Sequence, residues 1–514
     1  MNLINNQKSN KKLLLILFFT ALIVRIYCSI NTYVISIDGA IQYIPLAQLF
    51  ACGKIKQALI HPQSPIYPFF LSVIHFIGID WELSGKIVSI IFGIATFFPI
   101  FFFFKRIFGK EVAFLSIAIF ALHPYLVRAS ADVLKETTYL FFFISGLWFS
   151  WETIWEEKKK FFPLAVIAII LATFTRPDGL EIFISILILP FLSLTLKDKT
   201  FIKKAIKGAI AFLLIFSFLI IPSIFLIIKT KKTIIYRSPK KIVHILKIFK
   251  HPDELKEKDK ESSLFAPGRI YSTIYLMSKK IVKIFHPLLL FLFVAGFIIR
   301  KKFLFPIAEI LIGSIFIIHI VILFFLTLLF SKWVGTNLIE AQLSGRHILP
   351  LVIISLGWIS LGSLDFAKWL TKYIKKWINI KEKDLITICL ILLLIIIGAK
   401  ALIPIRKDKI GRKIAGEWIL NHIPKEEELI TSYPRIAFYA KRNFNLLTVK
   451  NPEIFRQRLK NKDSFCWAYL EKEKDPLFKI IKPIAIKKGL IPLFSYKEID
   501  ENIVWVWGNP SFKP

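Results

Sequence analysis

Long apolar runs alternate with short polar segments over residues 1–404 of the chain. Most of these runs approach the length that an α-helix needs to cross a hydrocarbon core of about 30 Å. The pattern therefore predicts a mostly α-helical fold, a polytopic transmembrane bundle of about eleven spans. The predicted spans are residues 12–30, 84–104, 111–127, 133–151, 161–175, 179–196, 208–228, 284–299, 303–330, 347–365 and 385–404.

Residues 405–514 have a different pattern, in which charges are mixed and apolar runs are short. The stretch EWILNHIP has helical periodicity, whereas LLTV, SFCWAYL and NIVWVWG are short β-prone runs. Helical and β-prone segments in alternation are typical of a small α/β domain. We therefore predict two domains, a transmembrane domain of residues 1–404 and a C-terminal domain of residues 405–514.

The distribution of Lys and Arg predicts the orientation in the membrane. Lys8, Lys11 and Lys12 precede the first span, which places the N-terminus in the cytoplasm by the positive-inside rule. Every loop that alternation then assigns to the cytoplasm is basic, and the C-terminal domain falls outside. The loop of residues 229–283 is an exception, because its fifteen Lys or Arg and five Asp or Glu would lie outside. Either this segment is an external basic loop, which its length allows, or the number of spans is miscounted; the agreement of the other loops favours the external loop.

Composition favours a membrane protein over a nucleic-acid-binding one. The 514 residues are 55% hydrophobic and carry a net charge of +35. Because the cations lie in short clusters between apolar runs, membrane lipids are predicted partners and nucleic acid is not. No P-loop, GxSxG, HExxH, GxGxxG or DxD motif is present, which argues against a nucleotide-sugar donor. The four cysteines lack metal-ligand spacing, so no cofactor is certain and a divalent metal ion is left open.

The first external loop, residues 31–83, is too polar for a span and too apolar for an ordinary loop. Asp38 precedes a predicted interfacial helix, GAIQYIPLAQLFACGKI. Asp38 could cap this helix, and an ionised carboxylate there could also accept a proton from an attacking hydroxyl. The stretch HPQSPIYP, residues 61–68, predicts a rigid re-entrant corner. The lipid-facing side of the helix would consist of Ile41, Ile44, Leu46 and Leu49.

Acidic and basic residues from several predicted helices fall near one depth at the external face. Ionisable groups at such positions are costly and often mark functional sites. Capping and snorkelling at helix ends are the alternative for any one of them. The set consists of Asp38, Arg128, Asp132, Glu136, Arg176, Asp178 and Arg346.

Three arginines have two interpretations each. Arg25 lies inside the first span, so it needs a carboxylate or phosphate partner, and a structural ion pair is favoured. Arg176 suits an anionic headgroup because its planar fork binds phosphate bidentately. It could instead pair with Asp178 or Glu181, and Arg346 has the same two interpretations.

The order and spacing of several short motifs resemble the GT-C superfamily of polytopic glycosyltransferases. These motifs are the Asp38–Tyr43 pair, the PIYP corner around Tyr67, HPYLVRASADVLKETTY, TRPDGL, GRHILP and the tail stretch that begins GEWILNHIP. They are similar to a bacterial branch that includes relatives of protein O-mannosyltransferases and lipid A aminoarabinose transferases. The resemblance implies a multi-pass enzyme of the cell (inner) membrane with its active site on the external face.

The resemblance also implies transfer of one sugar from a polyprenyl-phosphate-linked donor to a lipid, glycan or protein acceptor. Asp38 matches the general base of the family and Asp132 its second acidic position, which makes both candidate catalytic residues. The candidate substrate-binding residues are Tyr43, His61, Tyr67, Arg128, Glu136, Arg176 and Arg346.

The chain departs from the family pattern at two places. Many relatives have Asp-Glu where this chain has Asp38-Gly39, so a single carboxylate is expected at this point of the loop. The aminoarabinose transferases have a Lys before their proline pair, whereas His61 stands in that region here. Phosphate binding would then fall to His61, Arg176 or the loop of residues 229–283.

Two other functions are alternatives to glycosyl transfer. A transporter or flippase of lipid-linked sugars favours ionisable residues at the bilayer midplane and symmetric halves with broken helices, and the sequence pattern indicates neither. A scaffold whose spans only anchor an external domain would not need about eleven of them. The sequence therefore favours a membrane glycosyltransferase with Asp38 as general base.

Overall fold

Helices occupy every one of the predicted apolar runs. The structure is a computed structural model that describes residues 7–194, 199–230, 266–299, 306–334, 337–340, 343–375, 377, 380–445, 465–471 and 476–513. The helices up to residue 401 are α1 (Gln7–Ile30), α2 (Ile44–Ala51), α3 (Ile55–Ile60), α4 (Ile66–His75), α5 (Trp81–Ala95), α6 (Phe97–Phe108), α7 (Lys110–Leu122), α8 (Pro124–Ser130), α9 (Glu136–Ile154), α10 (Phe162–Thr175), α11 (Leu180–Ser193), α12 (Lys199–Thr230), α13 (Pro267–Phe285), α14 (Pro287–Ile299), α15 (Pro306–Phe330), α16 (Leu349–Ile374) and α17 (Glu382–Ala401).

Several of these helices could cross a membrane. By length and composition five described segments qualify alone, and seven do if each of two bent pairs is one span. The bends are 61° between α7 and α8 and 96° between α13 and α14. The count of about eleven spans stays a prediction. The five segments are Asn10–Ile30, Trp81–Phe108, Ala308–Phe330, Gly345–Ile374 and Glu382–Ala401.

The predicted loop of residues 229–283 contains a helix that the sequence analysis missed. Its residues 231–265 lie outside the described ranges, but α13 fills the segment from Pro267 onward. The helix buries one side, including Thr273 and Met277, and exposes Tyr271 and Tyr275 on another. The many lysines of the predicted loop made the amphipathic pattern of this helix hard to recognise in the sequence. Such a pattern lets a helix pack one face against the protein.

The first external loop is helical, but its apolar face does not lie on lipid as predicted. A single π-helical turn, Gly39–Tyr43, leads into α2. Ile44 and Leu46 are buried in the protein, where Ile44 packs with residues of the same loop such as Tyr67. Two of the four positions predicted for lipid contact thus hold the loop against the protein, whereas Ile41 and Leu49 are half-buried. Full burial of Ile44 and Leu46 stabilises the loop by roughly 1.5–3 kcal/mol per side chain.

The C-terminal part forms the predicted small α/β unit around one sheet. The sheet has five strands in the order β4–β3–β5–β7–β6, with β3, β4 and β5 parallel and β5, β7 and β6 antiparallel. The runs SFCWAYL and NIVWVWG form β5 and β7, whereas LLTV lies outside the described residues. The elements are α18 (Ile410–His422), β3 (Leu429–Thr431), α19 (Pro434–Tyr439), β4 (Phe444–Asn445), β5 (Cys466–Glu471), α20 (Pro476–Lys487), β6 (Ile491–Lys497) and β7 (Ile503–Gly508), after a short hairpin of β1 (Lys332–Val334) and β2 (Asn337–Glu340) in the transmembrane part.

The α/β unit is tied directly to the first external loop. Thr32 and Ile405 form a parallel backbone bridge. Ile35 N donates to Tyr439 Oη at 2.9 Å, and Arg435 Nε donates to Ile35 O at 2.7 Å. Residues just before Asp38 are therefore fixed from the C-terminal side as well as from the bundle.

Candidate active site

Asp38 lies at the start of the π-helical turn Gly39–Tyr43. Its carboxylate makes no capping hydrogen bond to the turn that follows, so the capping interpretation is wrong. Instead Asp38 Oδ2 pairs with Arg346 Nη1, from a residue 308 positions further along the chain. The carboxylate is thus partly accessible and held by a cation from a distant part of the sequence.

Sterics exclude a second carboxylate beside Asp38. A Cβ at Gly39 would lie 2.8 Å from Ser36 Oγ, 2.9 Å from Val133 Cβ and 3.1 Å from Ile35 Cγ1. Contacts under 3 Å force a shift in neighbours that are themselves buried, which destabilises a well-packed site. The departure from the Asp-Glu pattern is therefore built into the packing of this turn.

Two arginines and three acids form what we call the charge cluster. Arg346 Nε lies 3.6 Å from Glu136 Oε1, and Arg176 Nη1 lies 3.8 Å from the same oxygen. Arg176 Nη2 is 2.5 Å from Asp178 Oδ2. The chain of contacts runs through Asp38, Arg346, Glu136, Arg176 and Asp178.

Local sequence explains how each member reaches the cluster. Proline disfavours helical backbone in the residue before it, so α10 ends and Arg176 is extended at φ −149°, ahead of Pro177. Glu136 is the first residue of α9, where a carboxylate interacts favourably with the helix dipole. Arg346 lies in the 3₁₀ turn Gly345–Ile348 that precedes α16.

Burial is graded across the cluster. The Glu136 side chain is 2% exposed, whereas those of Asp38 and Arg346 are 19% and 33% exposed. Glu136 Oε2 is buried, and no described residue donates a hydrogen bond to it. Asp38 and Arg346 therefore form the accessible edge, and Glu136 lies behind them with one oxygen left for a ligand or water.

The pair at the inner end of the cluster is ionised. Burial alone would lower the pKa of the Arg176 guanidinium, but Asp178 and Glu136 hold it above its ordinary value. Burial alone would raise the pKa of the Asp178 carboxyl, but Arg176 beside it lowers the pKa to about 2. Arg176 also donates through Nη1 to Arg346 O at 3.3 Å, which links the pair to the 3₁₀ turn.

The tyrosine candidates of the first loop are buried in its interior, whereas His61 is half-buried. The rings of Tyr43 and Tyr67 meet edge to face with centroids 5.3 Å apart. Tyr67 Oη donates to Gly85 O at 2.9 Å, so this hydroxyl already has a partner. His61 Nδ1 accepts from Gln63 N at 3.2 Å in the proline-rich corner. Partial burial lowers the pKa of His61, so a neutral ring is expected there at pH 7 rather than a cation for phosphate.

Asp132 bonds to residues outside the charge cluster. Oδ1 accepts from Ser36 N at 3.1 Å and from Val133 N at 2.8 Å. Oδ2 pairs with Arg406 Nη2 at 2.5 Å, and Arg406 Nε donates to Val34 O at 2.6 Å. Both oxygens are thus occupied in holding the segment that carries Asp38.

Within the described part of the chain Arg25 has no carboxylate partner, contrary to the prediction. Its nitrogens lie 3.1–3.4 Å from the oxygens of Ala21, Phe120, Ala121 and Ser130. Pro124 has no N–H to offer the Phe120 carbonyl, so the bend between α7 and α8 leaves an acceptor for Arg25. The guanidinium also lies over the Phe120 ring, 4.5 Å from its centroid.

Arg128 likewise serves a helix end. Its Nη2 donates to Lys400 O at 3.4 Å and to Ile403 O at 3.3 Å, where α17 ends. Carbonyls at a helix C-terminus lack intrahelical partners, and a cation satisfies them. The described contacts do not connect Arg128 with the charge cluster.

One buried pair near the cluster was missed from the sequence. His319 Nδ1 lies 2.8 Å and 2.9 Å from the two carboxylate oxygens of Glu181, and Nε2 lies 2.7 Å from His347 O. Glu181 was considered only as an alternative partner of Arg176. The signal for His319 was available, because it stands in the apolar run SIFIIHIVILFF, where an ionisable residue is costly.

The described residues do not offer a multidentate metal site. Among them, no group of three or more His, Cys, Asp or Glu side chains is placed to hold a metal ion. Asp38 and Glu136 each face a guanidinium. Guanidinium groups bind phosphate bidentately, so Arg346 and Arg176 are the members of this cluster that suit an anionic ligand.

Comparisons with known proteins agree with this architecture. Residues 61–227 match the family model described as dolichyl-phosphate-mannose-protein mannosyltransferase. The apo crystal structure of ArnT from Cupriavidus metallidurans superposes with a TM-score of 0.54 and 13% identity, over 97% of this chain and 98% of that chain. The crystal structure of ArnT bound to undecaprenyl phosphate gives a TM-score of 0.55 and 13% identity, over 96% of this chain and 97% of that chain. The chain has a GT-C fold.

The GT-C fold extends to a larger relative. The Archaeoglobus fulgidus oligosaccharyltransferase, in complex with Zn and sulfate, superposes with a TM-score of 0.61 and 14% identity, over 96% of this chain and 72% of that chain. A search among curated proteins finds no match to the sequence. The GT-C resemblance inferred from sequence motifs is confirmed at the level of fold, for a chain with several helices long and apolar enough to cross a membrane.

Proposed function

We propose that the protein transfers a single sugar from a polyprenyl-phosphate-linked donor to a hydroxyl of a lipid, glycan or protein acceptor at the external membrane face. The observation that carries this proposal is the Asp38–Arg346 pair at the accessible edge of the charge cluster. It sets a potential base and a potential phosphate ligand side by side. Undecaprenyl phosphate bound to ArnT supports the class of donor, since that structure shares the fold.

The pair suggests how donor binding prepares the base. A lipid phosphate that enters from the bilayer competes with Asp38 for the planar guanidinium of Arg346, whose fork binds phosphate bidentately. Asp38 then loses its cationic partner and gains basicity, since a nearby cation stabilises the ionised form. Arg346 can turn outward because its side chain is a third exposed.

In the reaction, Asp38 accepts the proton of the acceptor hydroxyl as the hydroxyl oxygen attacks the anomeric carbon. The bond between that carbon and the phosphate oxygen breaks, and its electron pair stays with the polyprenyl phosphate. Arg346 stabilises the negative charge that develops on this leaving group. A single displacement inverts the anomeric configuration.

We assign Asp132 a positioning role rather than direct contact with substrate. Replacing it with Asn keeps one acceptor oxygen but presents an amide to Arg406, which breaks the ion pair at 2.5 Å. We expect kcat to fall by about tenfold and the melting temperature in detergent to drop, because a partly buried charge loses its partner. Arg406→Gln should give a similar loss. A fall in kcat as large as that of Asp38→Asn, without any change in melting temperature, would contradict this assignment.

The experiment for the proposed function uses purified protein in liposomes with a panel of radiolabelled polyprenyl-phosphate sugars. We expect label to move to an added acceptor and free polyprenyl phosphate to appear, with no transfer from nucleotide sugars. The main alternative is a flippase for lipid-linked sugars. It would move intact donor between leaflets without breaking the sugar–phosphate bond, and that result would overturn the proposal.

A further inference from the structure

A buried Glu–His pair lies directly beneath the 3₁₀ turn that carries Arg346. His319 lies in the middle of α15 and Glu181 in the first turn of α11, and both side chains are essentially inaccessible. Both carboxylate oxygens of Glu181 contact His319 Nδ1, and Nε2 points to the His347 carbonyl. Two helices and the turn are thus joined through one imidazole ring.

The contacts define how many protons the pair holds. A carbonyl only accepts, so His319 Nε2 must carry a hydrogen in order to bond to His347 O. Nδ1 then either carries a second hydrogen facing an ionised Glu181 or accepts one from a protonated Glu181. In both cases the pair holds one proton beyond a neutral ring and a carboxylate. It is electrically neutral, which makes its burial tolerable.

Two consecutive carbonyls of the turn are held by this arrangement. Arg176 donates to Arg346 O at 3.3 Å, and His319 contacts His347 O at 2.7 Å. His347 Nδ1 in turn accepts from Ser344 N at 3.2 Å. The backbone on both sides of the Arg346 Cα is therefore fixed, which limits where the guanidinium can reach.

We propose that Glu181 and His319 form a positioning pair that sets Arg346 for a lipid phosphate. This inference rests on the proposed function, because it assigns Arg346 to the phosphate of a polyprenyl-phosphate donor. The pair acts through the His347 carbonyl and does not touch the substrate. Removing it lets the turn relax, so Arg346 spends less time where the phosphate and Asp38 both reach it.

The test measures binding of undecaprenyl phosphate alone to purified full-length protein. We expect His319→Phe, which keeps ring volume but removes the donor, to weaken binding by about tenfold, the effect of one lost hydrogen bond to a polar group plus the freed turn. His319→Gln retains an N–H donor and should restore most of the affinity. Thr327→Val on the same helix is the matched control, since the Thr327 hydroxyl donates to Leu323 O of its own helix.

A double-mutant cycle separates positioning from general loosening of the fold. If His319 acts through Arg346, His319→Phe should weaken binding in the wild type but have little further effect in an Arg346→Gln background. Should the Phe variant not fold, Glu181→Leu removes the orienting carboxylate and supplies the same comparison. Wild-type affinity in a folded His319→Phe protein, or full additivity with Arg346→Gln, would overturn the inference and leave the proposed function intact. A wild type that does not bind the lipid phosphate would overturn both.

Discussion

Asp38→Asn is expected to lower kcat for sugar transfer by about 10²–10⁴-fold, the usual contribution of a general base. The substitution preserves the size and one acceptor oxygen of the side chain but removes its basicity. Affinity for polyprenyl phosphate should stay the same or increase, because Arg346 loses the anion that competes with the phosphate. A lower kcat together with undiminished donor binding is the signature that identifies a base rather than a donor ligand. Single-turnover transfer and equilibrium binding of undecaprenyl phosphate measure the two quantities separately.

The matched control is Asp365→Asn, which removes the same charge from an exposed pair with Lys368 at 3.6 Å. Exposed ion pairs contribute little to stability, so this variant should behave as the wild type. If Asp38→Asn transfers sugar at the wild-type rate and expresses normally, the base lies elsewhere. If it instead loses donor binding together with kcat, Asp38 serves to hold Arg346 and the proposed order of events is wrong.

The helical architecture could be predicted because a bilayer imposes a length and a composition on each element that crosses it. The α/β character of the tail was also predictable, since β5 and β7 coincide with the β-prone runs SFCWAYL and NIVWVWG. The strand β6 was missed. Its sequence IPLFSYK contains a proline, which argues against a strand because proline lacks the N–H that a strand donates. The position of β6 at the edge of the sheet tolerates the proline.

The candidate site was predictable in its members but not in its pairings. Asp38, Glu136, Arg176 and Arg346 could be singled out because each is ionisable and falls at the outer end of a predicted helix. The sequence does not specify which helix ends meet, so the Asp38–Arg346 contact across 308 positions was not foreseen. For Arg25 the predicted type of partner was wrong. The prediction allowed only acidic groups, whereas backbone carbonyls at the proline-broken helix accept hydrogen bonds from its guanidinium.

Arg346→Gln is expected to weaken binding of polyprenyl phosphate by about 10–100-fold, since charge-assisted hydrogen bonds to an ionised group contribute roughly 1.5–3 kcal/mol. Gln approaches the length of Arg and keeps one N–H₂ donor, so the loss reports the charge and the second arm of the fork. Arg346→Lys keeps the charge without the fork, so its affinity for polyprenyl phosphate should lie between those of the wild type and Arg346→Gln. The binding should also become less sensitive to salt, because an accessible cation is removed from the site.

Arg106→Gln is the matched control for this loss. Arg106 also pairs with a buried carboxylate, that of Glu152 at 3.3 Å, at the opposite end of α9 from Glu136. Both substitutions remove one positive charge from a similar environment, and only the one in the charge cluster should change lipid-phosphate affinity. Equal losses from the two variants would show that total charge, rather than the position of Arg346 beside Asp38, controls binding. In contrast, weaker lipid-phosphate binding in Arg346→Gln but not in Arg106→Gln, together with tighter or unchanged binding in Asp38→Asn, would show that Asp38 and the phosphate compete for Arg346. The proposed mechanism requires this competition, because the phosphate displaces Asp38 from Arg346 before Asp38 acts as the base.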